Sequence, residues 1–317
     1  MAARANEIPA RMIAVLAWAG RYSSWVLIAG LVLAAALPGF ASAMRPLLAP
    51  LVALVLGLAI ARLDVGVMLR LMVKPRQALA LVLLIFVFMP ITCLILVTVW
   101  RGFGGAESFT LFLIVTAAAP PISSATAMCL LLGYNARLAL QMTLLSNLAV
   151  PVIAPLAFWL SGIDSPIAMG ALGLRMALLI LGGFAIGLGL QALLGKDRIA
   201  QNAQAFNGLS ALVMVVFLFP MFAGVMDLVR TNPSLAAGVL GFAVALNLIG
   251  NMAWRHLANR VTDDQTANAL GLMYGNRNVS LYLAALPFNP LLGLFVAAAQ
   301  IPMYATPAIF TPRRKRP

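Results

Sequence analysis

Apolar residues fill this chain in long runs separated by short polar gaps. Ten runs come near the roughly 20 residues that a helix needs to cross a bilayer: 22–41, 46–62, 77–100, 108–133, 137–161, 166–194, 204–229, 234–254, 265–286 and 289–311. The strands of a membrane barrel would be about ten residues long and alternate in polarity; these runs do not alternate. The gaps are too short to hide a soluble domain. The pattern predicts an all-α polytopic membrane protein of ten transmembrane helices, with 1–317 a single membrane domain.

Composition agrees. The 317 residues are 63% hydrophobic and 9% charged, against about 45–50% and about 25% in soluble domains. Lipid is the solvent such a chain fits. A net charge of +13 raises nucleic acid as a partner, but the charges lie in the gaps rather than in one patch, so no nucleic acid is expected. Cys93 and Cys129 sit inside apolar runs without metal or disulfide spacing, and read as small buried hydrophobes. No metal and no cofactor is expected.

Lys and Arg give the orientation. Ten spans put both termini on one side, with sixteen basic residues: Arg4, Arg11, Arg21, Arg62, Arg70, Lys74, Arg76, Arg137, Lys196, Arg198, Arg255, Arg260 and Arg313, Arg314, Lys315, Arg316. The other side holds Arg45, Arg101 and Arg230, and Arg175 and Arg277 fall inside spans. By the positive-inside rule both termini are cytoplasmic. Trp25, Trp100, Trp159 and Trp254 fall near span ends, where an aromatic belt would place them. The Arg-rich start and Ala41-Ser42-Ala43 resemble a cleavable signal, but its removal would break the span count and the charge balance. Arg outnumbers Lys and Ala is abundant, which points to a GC-rich bacterial genome and hence a bacterial inner membrane.

A shift of about 156 residues superimposes spans one to five on six to ten, giving repeats of about 22–161 and 166–311. Pro151 and Pro307, in similar local sequence, differ by 156. Five spans per repeat is odd, so the halves face the membrane in opposite senses, a signature of secondary transporters.

Both fourth spans are interrupted. Span four carries Pro120-Pro121, then Ser123, Ser124 and Thr126. Pro removes a donor and clashes with the preceding turn; either the hydroxyls satisfy their own backbone or the break forms a site. Span nine carries Tyr274-Gly275-Asn276-Arg277-Asn278. A mid-span Arg costs about 2.5–3.5 kcal/mol on insertion scales, and Arg277 has no acidic residue to pair with except at span ends and in loops. It requires carbonyls, water or an anion: a functional group, or a structural one bound to carbonyls of the broken span four. Thr143 and Asn147, four apart in span five, join Gln141, Ser146, Asn247, Asn251 and Gln300 in a polar interior of spans four, five, eight, nine and ten. Spans one, two, six and seven are nearly pure Ala, Leu, Val and Gly, and Gly183 and Gly187 have the spacing of close helix packing.

These features resemble the bile acid:sodium symporter family. The resemblance is sharpest at Ala119-Pro120, at Thr143 to Pro155, and at Gly275-Asn276-Arg277-Asn278. It implies two inverted halves of five, with broken helices four and nine crossing, and a core bundle of spans 3–5 and 8–10 against a panel of 1, 2, 6 and 7. The chain departs from the family where sodium binds: the acidic ligand falls on Met273 and a Gln on Arg277. Sodium is therefore doubtful as a coupling ion; the Arg277 guanidinium stands in its place or pairs with an anionic substrate.

The expected function is a secondary transporter of a small organic anion with lost or weakened sodium coupling. The expected binding residues are Arg277, Asn278, Asn276, Ser123, Ser124, Thr126, Thr143, Asn147 and Gln300, with Pro120, Pro121 and Gly275 making the breaks. The alternatives are an arsenite-efflux-type carrier, an ordinary sodium/organic-anion symporter, and, from another class, a non-transporting sensor. No metalloprotease, serine-hydrolase or paired-carboxylate pattern argues for an enzyme. Substrate identity, direction of transport and oligomeric state are not encoded in any motif.

Overall fold

The computed structural model describes residues 2–63, 75–163 and 167–310. The basic residues Arg70, Lys74, Arg313, Arg314, Lys315 and Arg316 and the acidic Asp64 and Asp164 lie outside them, as do the side chains of Arg4, Glu7, Arg76 and Pro307. The described residues are overwhelmingly helical, with no strand among them. Five helices are long and apolar enough to cross a membrane: Leu79–Gly102, Ala136–Ser161, Met169–Leu194, Ala203–Met221 and Pro233–Ala258. A sixth crossing exists if the bent pair Arg11–Arg21 and Ser23–Ala36 counts as one. Large apolar side chains cover the outside. Leu174, Leu178 and Leu181, on one face of a helix, are each more than 60% exposed, a surface that suits lipid and not water.

The chain divides into two compact units, Met1–Leu63 with Leu178–Thr231 and Asp64–Ala177 with Asn232–Pro317. In the first unit the helix Ala203–Met221 packs against Ser23–Ala36, Leu48–Ile60 and an N-terminal helix, Ala2–Arg21. That last helix corrects the sequence reading, which took residues 1–21 as a flank. Its arginines mask it in a search for apolar runs, yet Gly20 and Gly208 seat it so closely on Ala203–Met221 that a Cβ at either would overlap backbone of the other. The first apolar run is also not one helix: Pro38 makes a helical Leu37 unfavourable, and the helix stops at Ala36 before a short turn of helix, Pro38–Ala43. The run at 204–229 likewise ends early, at Met221, with Gly224 at φ +70 before Val225–Thr231. Leu48–Ile60 packs on Met169–Leu194 through small residues; a Cβ on Gly187 would sit 2.8 Å from the Gly57 carbonyl. Gln191 Nε2 closes the end of Leu48–Ile60, 3.3, 3.1 and 2.8 Å from the carbonyls of Ile60, Ala61 and Leu63.

The second unit is built around two interrupted helices. One runs Glu107–Ala118 and resumes at Ala125–Leu132; the other runs Asp264–Gly275 and resumes at Ser280–Ala285. Ala136–Ser161 packs against both halves of the first and the start of the second, while Pro233–Ala258 packs along Asp264–Gly275 and Pro290–Phe310. An aromatic cluster fixes Glu107–Ala118. Phe112 stacks on Phe295 at 4.3 Å, and Phe109 meets Phe242 edge-on at 5.0 Å. Trp100 meets Phe242 edge-on at 5.2 Å and donates Nε1 to the Ala106 carbonyl. Trp25 and Trp159 are about 70% exposed, while Trp100 and Trp254 are half-buried against the rings of Phe242 and Tyr274.

Candidate functional site

The two interruptions meet. Pro120 and Pro121 each disfavour a helical residue before them, and Ala119 is extended, at φ −70 and ψ 148. In the other helix Asn276 is extended at φ −111 and ψ 90. These segments lie antiparallel, with Pro121 opposite Arg277 in a single bridge. Ile122 N donates to Asn276 O at 3.0 Å and Asn278 N donates to Pro120 O at 2.8 Å. The bonds flank the Pro121–Arg277 pair, so Pro121 occupies the slot of an antiparallel ladder that needs no N–H. Pro121 and Arg277 are 156 positions apart, and the same shift turns one flanking bond into the other.

Arg277 is 3% exposed. Its Nη1 donates to the carbonyl of Ala119 at 3.0 Å, across the bridge. Its guanidinium lies 4.1 Å above the ring of Tyr274, and the other face of Tyr274 stacks on Trp254 at 3.8 Å and 16°. The carbonyl end of Glu107–Ala118 carries the negative pole of that half-helix, so the guanidinium sits where the backbone favours a cation. The serine and threonine hydroxyls do not compensate the broken backbone: Ala119 O is taken by Arg277 and Pro120 O by Asn278. Ser124 is exposed, and Ser123 and Thr126 are half-buried.

Asn276, fully buried, is a junction. Its Nδ2 donates back to Leu272 O at 2.9 Å, a side-chain cap on the broken helix. Its Oδ1 accepts from Asn247 Nδ2 at 3.2 Å and faces Thr306 Oγ1 at 3.3 Å. Asn247 Nδ2 also reaches the carbonyl of Gly275. Gly275 must be small, because a Cβ there would lie 2.8 Å from Asn247 O. Asn278, half-buried, accepts from the Ser280 hydroxyl.

The remaining expected residues are spread more widely. Thr143 and Asn147 are buried on Ala136–Ser161, where Asn147 Nδ2 donates to Thr143 O at 2.6 Å. Thr143 Oγ1 and Asn147 Oδ1 have no partner among the described residues. Gln300 is half-buried on Pro290–Phe310. Sequence reasoning left Thr306, Tyr274 and Trp254 out of the site, and treated Asn247 only as part of the polar interior. A signal existed for two of them: Asn247, Asn251 and Trp254 follow a spacing of four and three, which puts them on one face of a helix. The second arginine inside a predicted span, Arg175, is exposed and donates Nη1 to Ala285 O at 3.0 Å, at the end of Ser280–Ala285.

At the end where Asp264–Gly275 begins, Asp263 caps the helix. Its Oδ1 accepts from Thr266 N and its Oδ2 from the Thr266 hydroxyl, both at 2.9 Å. These bonds hold its carboxyl below the usual carboxylate range. Asn135 ties that cap to the next loop, Nδ2 donating to Thr266 Oγ1 at 3.0 Å and its backbone N to Gln265 O at 3.2 Å. Among the described residues no three His, Cys, Asp or Glu side chains converge as a metal site would require. The sequence matches no protein-family profile and no curated protein.

Proposed function

We propose that this chain is a secondary transporter that moves a small organic anion across a bacterial cytoplasmic membrane by alternating access, with sodium coupling lost or weakened. The observation that carries the reading is the bridge between the two broken helices. Discontinuous helices that meet, with freed carbonyls and half-helix ends, are how secondary transporters build solute sites.

The proposed architecture is ten spans in two inverted repeats, with both termini cytoplasmic. The 156-residue relation supports it. It pairs Pro121 with Arg277, interchanges the two flanking hydrogen bonds, and relates the helix ends Gly102 and Ala258. The division into units supports the core and panel of the symporter resemblance: one unit holds spans one, two and seven with most of six, the other spans three to five and eight to ten.

Loss of sodium is supported by chemistry at the crossing. A sodium ion needs hard oxygen ligands, and Met273 brings a buried thioether where the resemblance calls for a carboxylate. The carbonyls of Ala119, Pro120, Gly275 and Asn276 already receive protein donors. The Arg277 guanidinium is then a fixed internal cation, and an anionic solute needs no companion ion to be attracted.

Proteoliposomes containing the purified protein test the reading. A panel of labelled mono- and dicarboxylates and sulfonates is offered in sodium and in choline media. Uptake of at least one anion, equal in both media, is the expected result. A strict sodium requirement would restore ordinary symport, arsenite flux without organic-anion flux would favour the efflux carrier, and no flux of any solute would leave the sensor.

A further inference from the structure

The N-terminal helix Ala2–Arg21 shows arginine and aromatic rings on one exposed face. Arg11, Val15, Trp18 and Tyr22 follow at spacings of four, three and four, which puts them on one side of a helix. All four are exposed, Val15 and Trp18 by about 60%, and the rings of Trp18 and Tyr22 lie 5.5 Å apart. Such a face fits neither medium alone. Contiguous apolar side chains suit water poorly, and an arginine open to hydrocarbon is costly.

The backbone points to the boundary between the two media. Arg11–Arg21 turns through 82° into Ser23–Ala36. The corner is built into the fold. Tyr22 takes φ −105 and ψ 25, yet Tyr22 N still donates to Trp18 O at 3.1 Å and Val26 N to Tyr22 O at 3.0 Å. Gly20 is seated on Gln204 and Gly208 with no room for a Cβ. The ten residues from Arg11 to Arg21 rise about 15 Å, half of a hydrocarbon core of roughly 30 Å, so they cannot put one arginine at each surface. A crossing by the whole of Ala2–Arg21 would leave the exposed Arg11 at its midpoint, facing lipid tails. A helix lying along the membrane surface, with the next helix turning inward at the corner, avoids both.

We propose that Arg11–Arg21 is an in-plane helix docked on the anionic surface of the bilayer, its arginines among lipid phosphates and Val15, Trp18 and Tyr22 at the boundary of headgroups and acyl chains. In-plane helices bind by buried apolar area together with attraction to anionic lipids. A guanidinium fork matches phosphate oxygens, its apolar stem reaches past buried rings, and Trp and Tyr favour headgroup depth. The seat on Gly208 fixes the helix to its unit, so lipid contact here bears on the corner itself. None of this depends on whether the chain carries solutes.

The test is spin labelling of the full chain in vesicles, at Val15→Cys and Tyr22→Cys. Cys93 and Cys129 are buried, so the label goes to the introduced cysteine. The two positions share a face and are about 10 Å apart along the axis. Collisions with oxygen, which enters the acyl region, and with a nickel chelate, which stays in water, report depth. Equal, shallow depths for both labels are expected. Depths that differ by about the full axial separation would show a crossing helix, free access of nickel to both would show a helix in water, and shielding from both reagents would show a protein partner or second copy; each overturns the proposal. Adding phosphatidylglycerol to phosphatidylcholine vesicles is expected to lower nickel collisions at the Val15→Cys label, and Arg11→Gln with Arg21→Gln to abolish that response. The same response in the double variant overturns the anionic docking. Should that variant fail to fold, salt replaces it: a response that high salt removes supports the docking, and one that salt leaves unchanged overturns it.

Discussion

Pro121 and Arg277 face each other across the only bridge among the described residues, and the two hydrogen bonds beside them are made by their neighbours. A residue without an N–H and a residue with a buried charge thus occupy equivalent slots. Proline suits one because that slot asks for no donor; arginine suits the other because its side chain crosses to the carbonyl of Ala119 that the break has freed.

The bridge predicts an asymmetry in proline tolerance. Pro121→Ala breaks no hydrogen bond but adds a buried N–H that the ladder does not bond, and is expected to cost about 1 kcal/mol. Asn278→Pro deletes the donor to Pro120 O and leaves a buried carbonyl unpaired, a loss of about 1–3 kcal/mol or more. Thermal unfolding of the two variants in detergent checks the order.

The first break was legible in the sequence because Pro120-Pro121 is a covalent statement about its own backbone. The second showed only as polarity, since Gly275 to Asn278 holds no residue that forbids a helix. The register in which they meet was not legible: it depends on hydrogen bonds between residues 154 to 158 positions apart, which no local pattern encodes. The stack of Trp254 on Tyr274 was not legible either, because nearness to a span end says nothing about which way a ring packs. The N-terminal helix was missed because Arg11 and Arg21 interrupt an apolar count, while its seat on Gly208 is a matter of backbone approach.

The stack of Trp254, Tyr274 and Arg277 separates ring from hydroxyl. Tyr274→Phe keeps the aromatic face beneath the guanidinium and is expected to behave nearly as wild type. Tyr274→Leu removes the cation–π contact, about 1–2 kcal/mol at a desolvated site, and uncovers Trp254. A red shift of Trp254 emission in Leu but not in Phe is the expected signature; equal shifts would show that the ring does not matter.

The Asn276 junction predicts a graded response. In Asn276→Ala every former partner keeps another bond: Leu272 O to the backbone N of residue 276, Asn247 to Gly275 O, and Thr306 to Pro302 O. The expected loss is about 1 kcal/mol. Asn247→Ala strips the side-chain donor from Gly275 O as well as from Asn276, and is expected to cost about 2 kcal/mol. Unfolding temperatures in the reverse order would show that the contacts of Asn276 matter more than the capping of the helix end.

Helix packing in the first unit depends on absent side chains. Gly187 lies against Gly57 and Ile60 with no room for a Cβ, and in lipid such close contact is what drives helices together. Gly187→Leu is expected to lower the unfolding temperature by several degrees, and Gly189→Leu, whose Cβ position is open, to leave it unchanged. Similar losses in both would show that the close approach at Gly187 contributes nothing specific.

Asp263 gives the chain a dependence on acid pH whose sign follows from its bonds. The Thr266 amide and hydroxyl donate to the ionised carboxylate and lower its pKa from the unfolded value near 3.8. A group whose folded pKa is depressed contributes stability that is complete above the unfolded value and is lost as pH falls through the folded one. The start of Asp264–Gly275, and with it the loop held through Asn135, is therefore expected to loosen only below about pH 4. Asn at this position still caps the helix but carries no titrating charge. Asp263→Asn should flatten the acid limb of a stability-against-pH curve and leave the neutral region nearly unchanged. An acid limb of the same slope in the variant would assign that loss to other carboxylates.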